Sequence, residues 1–170
     1  MPGSESVVAE GPWAGSTLSE LIGRFGAELL GKANYARFGQ EFPLLVKFID
    51  AREDLSIQVH PDDELARKRH GKSGKCEMWY VLEAEPGASL LTGFSRPIAP
   101  AEYERRVADN TLTDVLNRQA IASGDVFYLP AGRVHSIGKG SFIVEIQQSS
   151  DITYLSLIHI SEPTRPLYIS

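Results

Sequence analysis

Three short stretches of this chain carry side chains able to do chemistry together. In the first, Leu55-Ser56-Ile57-Gln58-Val59-His60-Pro61, strand alternation sends Leu55, Ile57 and Val59 to one face and Ser56, Gln58 and His60 to the other. The apolar face suits a core. The opposite face sets a hydroxyl, an amide and an imidazole in a row, a costly group to bury unless a metal ion or ligand satisfies it. This strand reads as one wall of a metal site inside a β-barrel. The second stretch, Cys76-Glu77-Met78-Trp79-Tyr80-Val81-Leu82, is a strong strand led in by Lys75, and its alternation places Lys75, Glu77 and Trp79 on one face. The third is Gly124-Asp125-Val126-Phe127-Tyr128-Leu129-Pro130-Ala131-Gly132-Arg133-Val134-His135. There glycines can turn a hairpin and proline can end a strand ahead of His135.

The elements that must position these groups follow from pattern. Residues 1–16 are rich in Gly, Pro and Ser and read as a loop. Thr17-Leu18-Ser19-Glu20 is a capping box, and Leu18, Leu21, Ile22, Phe25, Leu29 and Leu30 follow at helical spacing up to Gly31, which predicts one peripheral amphipathic helix. Residues 43–51 are nearly continuously apolar and predict a strand buried on both faces, with Lys47 needing a partner or an edge position. Asp62 or Asp63 can cap a short helix over residues 64–70. The basic run from Arg67 to Lys72 reads as a solvated face, and His70 as a loop histidine. Further strands are expected at residues 89–94, 119–122, 126–130, 134–137 and 141–148, with short helices at 101–108 and 113–117. Many short strands joined by tight turns predict a mainly β fold, a jelly-roll β-barrel with a few peripheral helices.

The bulk properties of the 170 residues narrow the function classes. Hydrophobic content of 42% and charged content of 23% are those of an ordinary globular chain. A formal net charge of -5 argues against a nucleic-acid footprint. Cys76 is the one cysteine, so no internal disulfide can form and a reducing, cytoplasmic location is expected. No apolar run approaches membrane-spanning length, so no membrane partner is expected.

The spacing of the third stretch (Gly, five residues, Pro, one, Gly, two, His) resembles the second motif of the cupin superfamily. Taken together, Leu55 to Pro61, Gly74 to Tyr80 and Pro130 to Ser136 are similar to the class I mannose-6-phosphate isomerases in their short bacterial form, over about residues 6–154. The resemblance implies one zinc ion per chain on Gln58, His60, Glu77 and His135, with Ser56 and Lys75 as substrate or phosphate contacts and Glu145 as a further pocket carboxylate. It implies a metal-dependent interconversion of mannose 6-phosphate and fructose 6-phosphate through an enediolate, a small sugar phosphate being the partner. Lys75 and Glu145 are both candidates for moving the proton. A neutral amide, two neutral imidazoles and one carboxylate would leave a divalent ion about one positive charge to aim at a substrate oxygen.

The chain departs from that family after Tyr154, where the resemblance implies an arginine and this sequence has Leu155. Residues 155–170 look like the translation of a sequencing adapter, so residues 1–154 are expected to be a partial catalytic cupin domain lacking its opening strands and the family's second β-domain. Two expectations follow: metal binding with impaired turnover, and aggregation through the apolar, proline-free stretch 155–160. Two other readings compete. Two histidines and a carboxylate are also the ligand set of non-haem iron oxygenases, which makes a cupin dioxygenase the rival enzyme, although Gln58 as a fourth ligand would crowd out oxygen. The other rival is a non-catalytic cupin that binds a sugar phosphate.

Overall fold

A computed structural model of the chain describes residues 5–157. The chain divides into two compact units, with the boundary between Leu44 and Leu45. No helix among the described residues is long and apolar enough to cross a membrane.

The first unit is helical. Thr17 opens α1 (Leu18–Phe25) with the expected capping box: Thr17 Oγ1 accepts from Glu20 N at 3.1 Å, and Thr17 N donates to Glu20 Oε2 at 2.8 Å. The single helix expected up to Gly31 is interrupted. Gly26 adopts φ 48°, a turn that side-chain-bearing residues avoid, so α1 ends there and a four-residue α2 (Ala27–Leu30) follows. A third helix, α3 (Lys32–Phe38), stands where no element was expected.

The second unit holds two antiparallel sheets, as the strand pattern predicted. One contains β1 (Leu44–Ala51), β3 (Glu77–Ala84), β6 (Val126–Leu129) and β8 (Ser141–Gln148) in the order β1-β8-β3-β6. The other contains β2 (Ile57–Val59), β4 (Ser89–Phe94), β5 (Leu116–Ala120), β7 (His135–Ile137) and β9 (Leu155–Leu157) in the order β5-β4-β7-β2-β9. Between the sheets lies a core of Ala51, Trp79, Val81, Leu90, Leu129, Ile137 and Ile143, drawn from both. A second cluster, Ile57, Leu91, Leu112, Val115, Leu116 and Val134, takes the other face of the five-stranded sheet and packs with Tyr103 and Val107 of α5 (Pro100–Ala108). The apolar side of the Leu55–His60 stretch therefore serves this second cluster, which leaves its polar side for the barrel interior. α4 (Asp63–His70) is capped by Asp62, whose carboxylate accepts from Leu65 N at 2.8 Å.

Three expectations change. β1 is not buried on both faces: it is an edge strand, with Leu44, Leu45, Val46 and Phe48 exposed. Continuous apolarity does not distinguish a central strand from an edge strand that lacks a neighbour. Residues 113–117 are not a helix; a 3-10 turn over Leu112–Val115 leads directly into β5. Residues 155–157 pair with β2 as β9, with Gln58 opposite Ser156, while 158–160 of the apolar stretch lie outside the described residues.

Candidate metal centre

Strand register brings the three stretches to one place. Gln58 on β2 lies directly across from His135 on β7, which in turn faces Thr92 on β4. On the other sheet, Glu77 starts β3 opposite Leu129 and Gln147, and Trp79 lies opposite Glu145. His60, Glu77 and His135 are all buried, and one ligand atom from each lies within 4.8 Å of the others. His60 Nε2 is 3.5 Å from Glu77 Oε1, and His135 Nε2 is 3.1 Å from Glu77 Oε2.

The other ring nitrogens decide what this cluster can hold. His60 Nδ1 is 2.9 Å from the Ile152 carbonyl oxygen, with Thr153 Oγ1 at 3.3 Å, and His135 Nδ1 is 2.8 Å from the Arg133 carbonyl oxygen. A carbonyl only accepts, so each Nδ1 carries the proton and donates it. A neutral imidazole then offers a bare lone pair at Nε2. Two such lone pairs turned toward a carboxylate make a set of acceptors with no shared donor. Accordingly, His60 Nε2 and Glu77 Oε2 are buried without a hydrogen-bond partner among the described residues. Backbone carbonyls that orient ligand imidazoles in this way are a common outer shell of metal sites. The donor set fits a divalent cation.

Lys75 supplies positive charge from one side, with Nζ 2.7 Å from Glu77 Oε1 and its side chain buried. Burial pushes the Glu77 carboxyl up, while the Lys75 ammonium against it pulls it the other way and favours its anion, holding it below the usual carboxylate range. Glu77 is therefore an anion in a dry place, as a metal ligand must be.

Of the remaining candidates, Ser56 and Gln58 are half-buried beside the cluster, and Gln58 Nε2 donates to Ser56 Oγ at 2.8 Å. Glu145 is buried and fully engaged: Oε1 accepts from Lys47 Nζ at 2.8 Å and Oε2 from Trp79 Nε1 at 3.0 Å. The partner that Lys47 needed is thus Glu145, with Gln147 Oε1 as a second acceptor at 2.6 Å. Trp79 links the two groups, since its ring also meets that of His135 edge-on with centroids 5.4 Å apart. Gln147 went unnoticed in the sequence, although alternation along β8 places it on the same buried face as Glu145.

Comparison with known proteins sharpens this geometry. Residues 1–95 match the family described as phosphomannose isomerase type I, catalytic domain. A probable mannose-6-phosphate isomerase of Bacillus subtilis, GmuF, is 40% identical over 150 residues, which is 88% of this chain and 46% of that protein. The chain belongs to the type I phosphomannose isomerase family. The mannose-6-phosphate isomerase of Streptococcus mutans is likewise 40% identical, over 90% of this chain and 46% of its own length. Among solved structures, a mannose 6-phosphate isomerase from Bacillus subtilis superposes with a TM-score of 0.78 at 36% identity, covering 90% of this chain and 47% of that one. The mainly β, cupin-type fold expected of a type I phosphomannose isomerase is the fold observed. The chain spans about half the length of the curated relatives it matches.

Proposed function

We propose that this chain carries the metal centre of a mannose-6-phosphate isomerase, and that the protein interconverts mannose 6-phosphate and fructose 6-phosphate. The observation that carries the reading is the set of acceptors converging from His60, Glu77 and His135, with both Nδ1 atoms committed to carbonyls. Gln58, directly across from His135, is the fourth ligand of this proposal, and zinc the metal. When bound, the ion would stabilise the oxyanion that develops as a proton leaves the carbon beside the substrate carbonyl.

The protein's own groups have the remaining tasks. Two buried titratable side chains flank the ligands as carriers of the proton: Lys75, against Glu77, and Glu145, between Lys47 and Trp79. Glu145 Oε1 accepts from Lys47 and Oε2 from Trp79, and its carboxylate would serve as the base. Lys75 is an ammonium, suited to donate a proton or to meet a phosphate. Ser56, bonded to Gln58, borders the same space and with Lys75 would contact the sugar or its phosphate. The single cysteine and a small sugar phosphate as partner support a cytoplasmic location.

The test is proton exchange. Metal-loaded protein incubated with fructose 6-phosphate in heavy water should introduce deuterium at the carbon next to the carbonyl. Glu145→Gln and Lys75→Met should each reduce that exchange. Saturable binding without exchange would replace this reading with a sugar-phosphate-binding module. The three groups brought together are also a two-histidine, one-carboxylate set, so oxygen uptake with iron bound and no exchange would favour the dioxygenase.

A further inference from the structure

We propose that Asp63 and Gln148 are positioning residues that hold Lys75 against Glu77 by fastening consecutive backbone amides of the loop that carries it. The inference rests on the metal-centre reading above and gives that site a supporting frame. Gly74 N donates to Asp63 Oδ1 at 2.9 Å, Lys75 N to the Pro61 carbonyl at 3.0 Å, and Cys76 N to Gln148 Oε1 at 2.8 Å. Gln148 Nε2 reaches Asp63 Oδ1 at 3.4 Å, so two side chains 85 residues apart in sequence close a ring behind the loop. The end of β8 grips the same loop twice more: Gln148 N donates to the Cys76 carbonyl at 3.1 Å, and Ser150 Oγ to the Ser73 carbonyl at 2.8 Å.

The arrangement is specific to this loop. Lys75 precedes β3, so no sheet ladder sets its backbone. Gly74 lies so close to the first turn of α4 that a Cβ there would sit 2.3 Å from the Asp62 carbonyl carbon, which makes glycine necessary. Asp62 already caps α4, and the Asp63 carboxylate is 4.0 Å from Arg67 on its exposed side, a weak pair, so its short contact is the one to Gly74. A lysine ammonium on a flexible stem gains more from water than from a half-ordered carboxylate. Lys75 nevertheless stays buried 2.7 Å from Glu77, and the fastened backbone accounts for that.

The test is a double-mutant cycle read by cobalt titration of the full 170-residue chain, following visible absorbance. Asp63→Ala should change the cobalt Kd by roughly tenfold, the size typical of an outer-shell loss. With Lys75→Met already present, the same substitution should change it by less than about twofold, because Asp63 acts through Lys75. Asp63→Asn keeps an acceptor oxygen and should stay near the parent, and Gln148→Ala should follow Asp63→Ala. Equal effects in the two backgrounds would mark mere structural support and overturn the proposal, as would an unchanged Kd in Asp63→Ala. A parent that binds no cobalt would instead overturn the metal-centre reading. A metal-free measurement separates the two cases: acetylation of Lys75, read by peptide mass spectrometry, should be slow in the parent and several times faster in Asp63→Ala. Equal acetylation rates refute the positioning role whatever the cobalt result.

Discussion

The barrel interior has two ends that differ in chemistry while sharing the same strands. Along one face β3 supplies Glu77, Trp79 and Val81, β8 supplies Gln147, Glu145 and Ile143, and β7 supplies His135 and Ile137. One end is thus filled with Val81, Leu90, Ile137 and Ile143, and the other with His60, Lys75, Glu77, His135 and Glu145, all of them buried. A step of two or four residues takes the chain from one to the other. The apolar end gains stability in proportion to the area removed from water. The polar end loses it for every group not given a partner, and there acceptor atoms of His60, Glu77 and His135 lie within 4.8 Å of one another. One end holds the fold, and the other gathers the buried polar groups.

That division predicts opposite responses to substitution. Leu90→Ala, at the apolar end, should lower the unfolding free energy by about 2–5 kcal/mol in denaturant titration and leave the metal Kd unchanged. Metal should act only at the other end. At roughly 1,000 times its Kd a bound ion adds about 4 kcal/mol to stability, so the thermal midpoint of the parent should rise on zinc addition and fall back with chelator. Glu77→Gln should abolish that rise, while Leu90→Ala should retain it on a lower baseline. A metal-induced rise that survives Glu77→Gln would mean that the two ends are not separate in function.

Trp79 is where the ends meet, since it belongs to the apolar core yet donates to Glu145 and abuts His135. Trp79→Phe keeps most of the packing and removes the donor, leaving a buried carboxylate oxygen short of one hydrogen bond. The expected cost is about 1–3 kcal/mol, read by chemical denaturation. A second Glu145→Gln substitution should change the size of that cost, because the unmet group is then no longer a charge.

Much of this was legible in the sequence, for reasons that can be named. Alternation over residues 55–60 and 75–79 depends only on the two-residue period of a strand, so the faces carrying His60, Lys75 and Glu77 could be read directly. The Thr17 capping box is a local motif and folded as read. Edge position was not legible: β1 is apolar enough for a central strand, and only the sheet order shows that one of its sides lacks a neighbour among the described residues. The helix break at Gly26 turns on one backbone angle within a pattern otherwise suited to continuation. The hydrogen bonds from Gly74 to Asp63 and from Cys76 to Gln148 join residues 11 and 72 positions apart, and no local pattern announces such pairs.

The smallest expected effect sharpens the same comparison from outside the barrel. Glu102 on α5 is also a carboxylate held low, at about 2, but its causes are the exposed guanidinium of Arg96 and the half-buried one of Arg106, at 2.6 and 2.9 Å. Because the folded-state value lies below the ordinary one near 4.5, the contribution of Glu102 to stability is complete above that value and is lost as pH falls toward 2. Thermal midpoints of the parent and Glu102→Gln should therefore differ slightly at pH 6 and converge as the pH falls toward 2. Half-molar salt should shrink the difference at pH 6, because the pair with exposed Arg96 is open to screening. Glu77 is held low in a dry interior by the buried Lys75 ammonium, and there salt has little access. Metal affinity that fell with salt as steeply as the Glu102 difference would show that the polar end is open to water, and the contrast between the two ends would not stand.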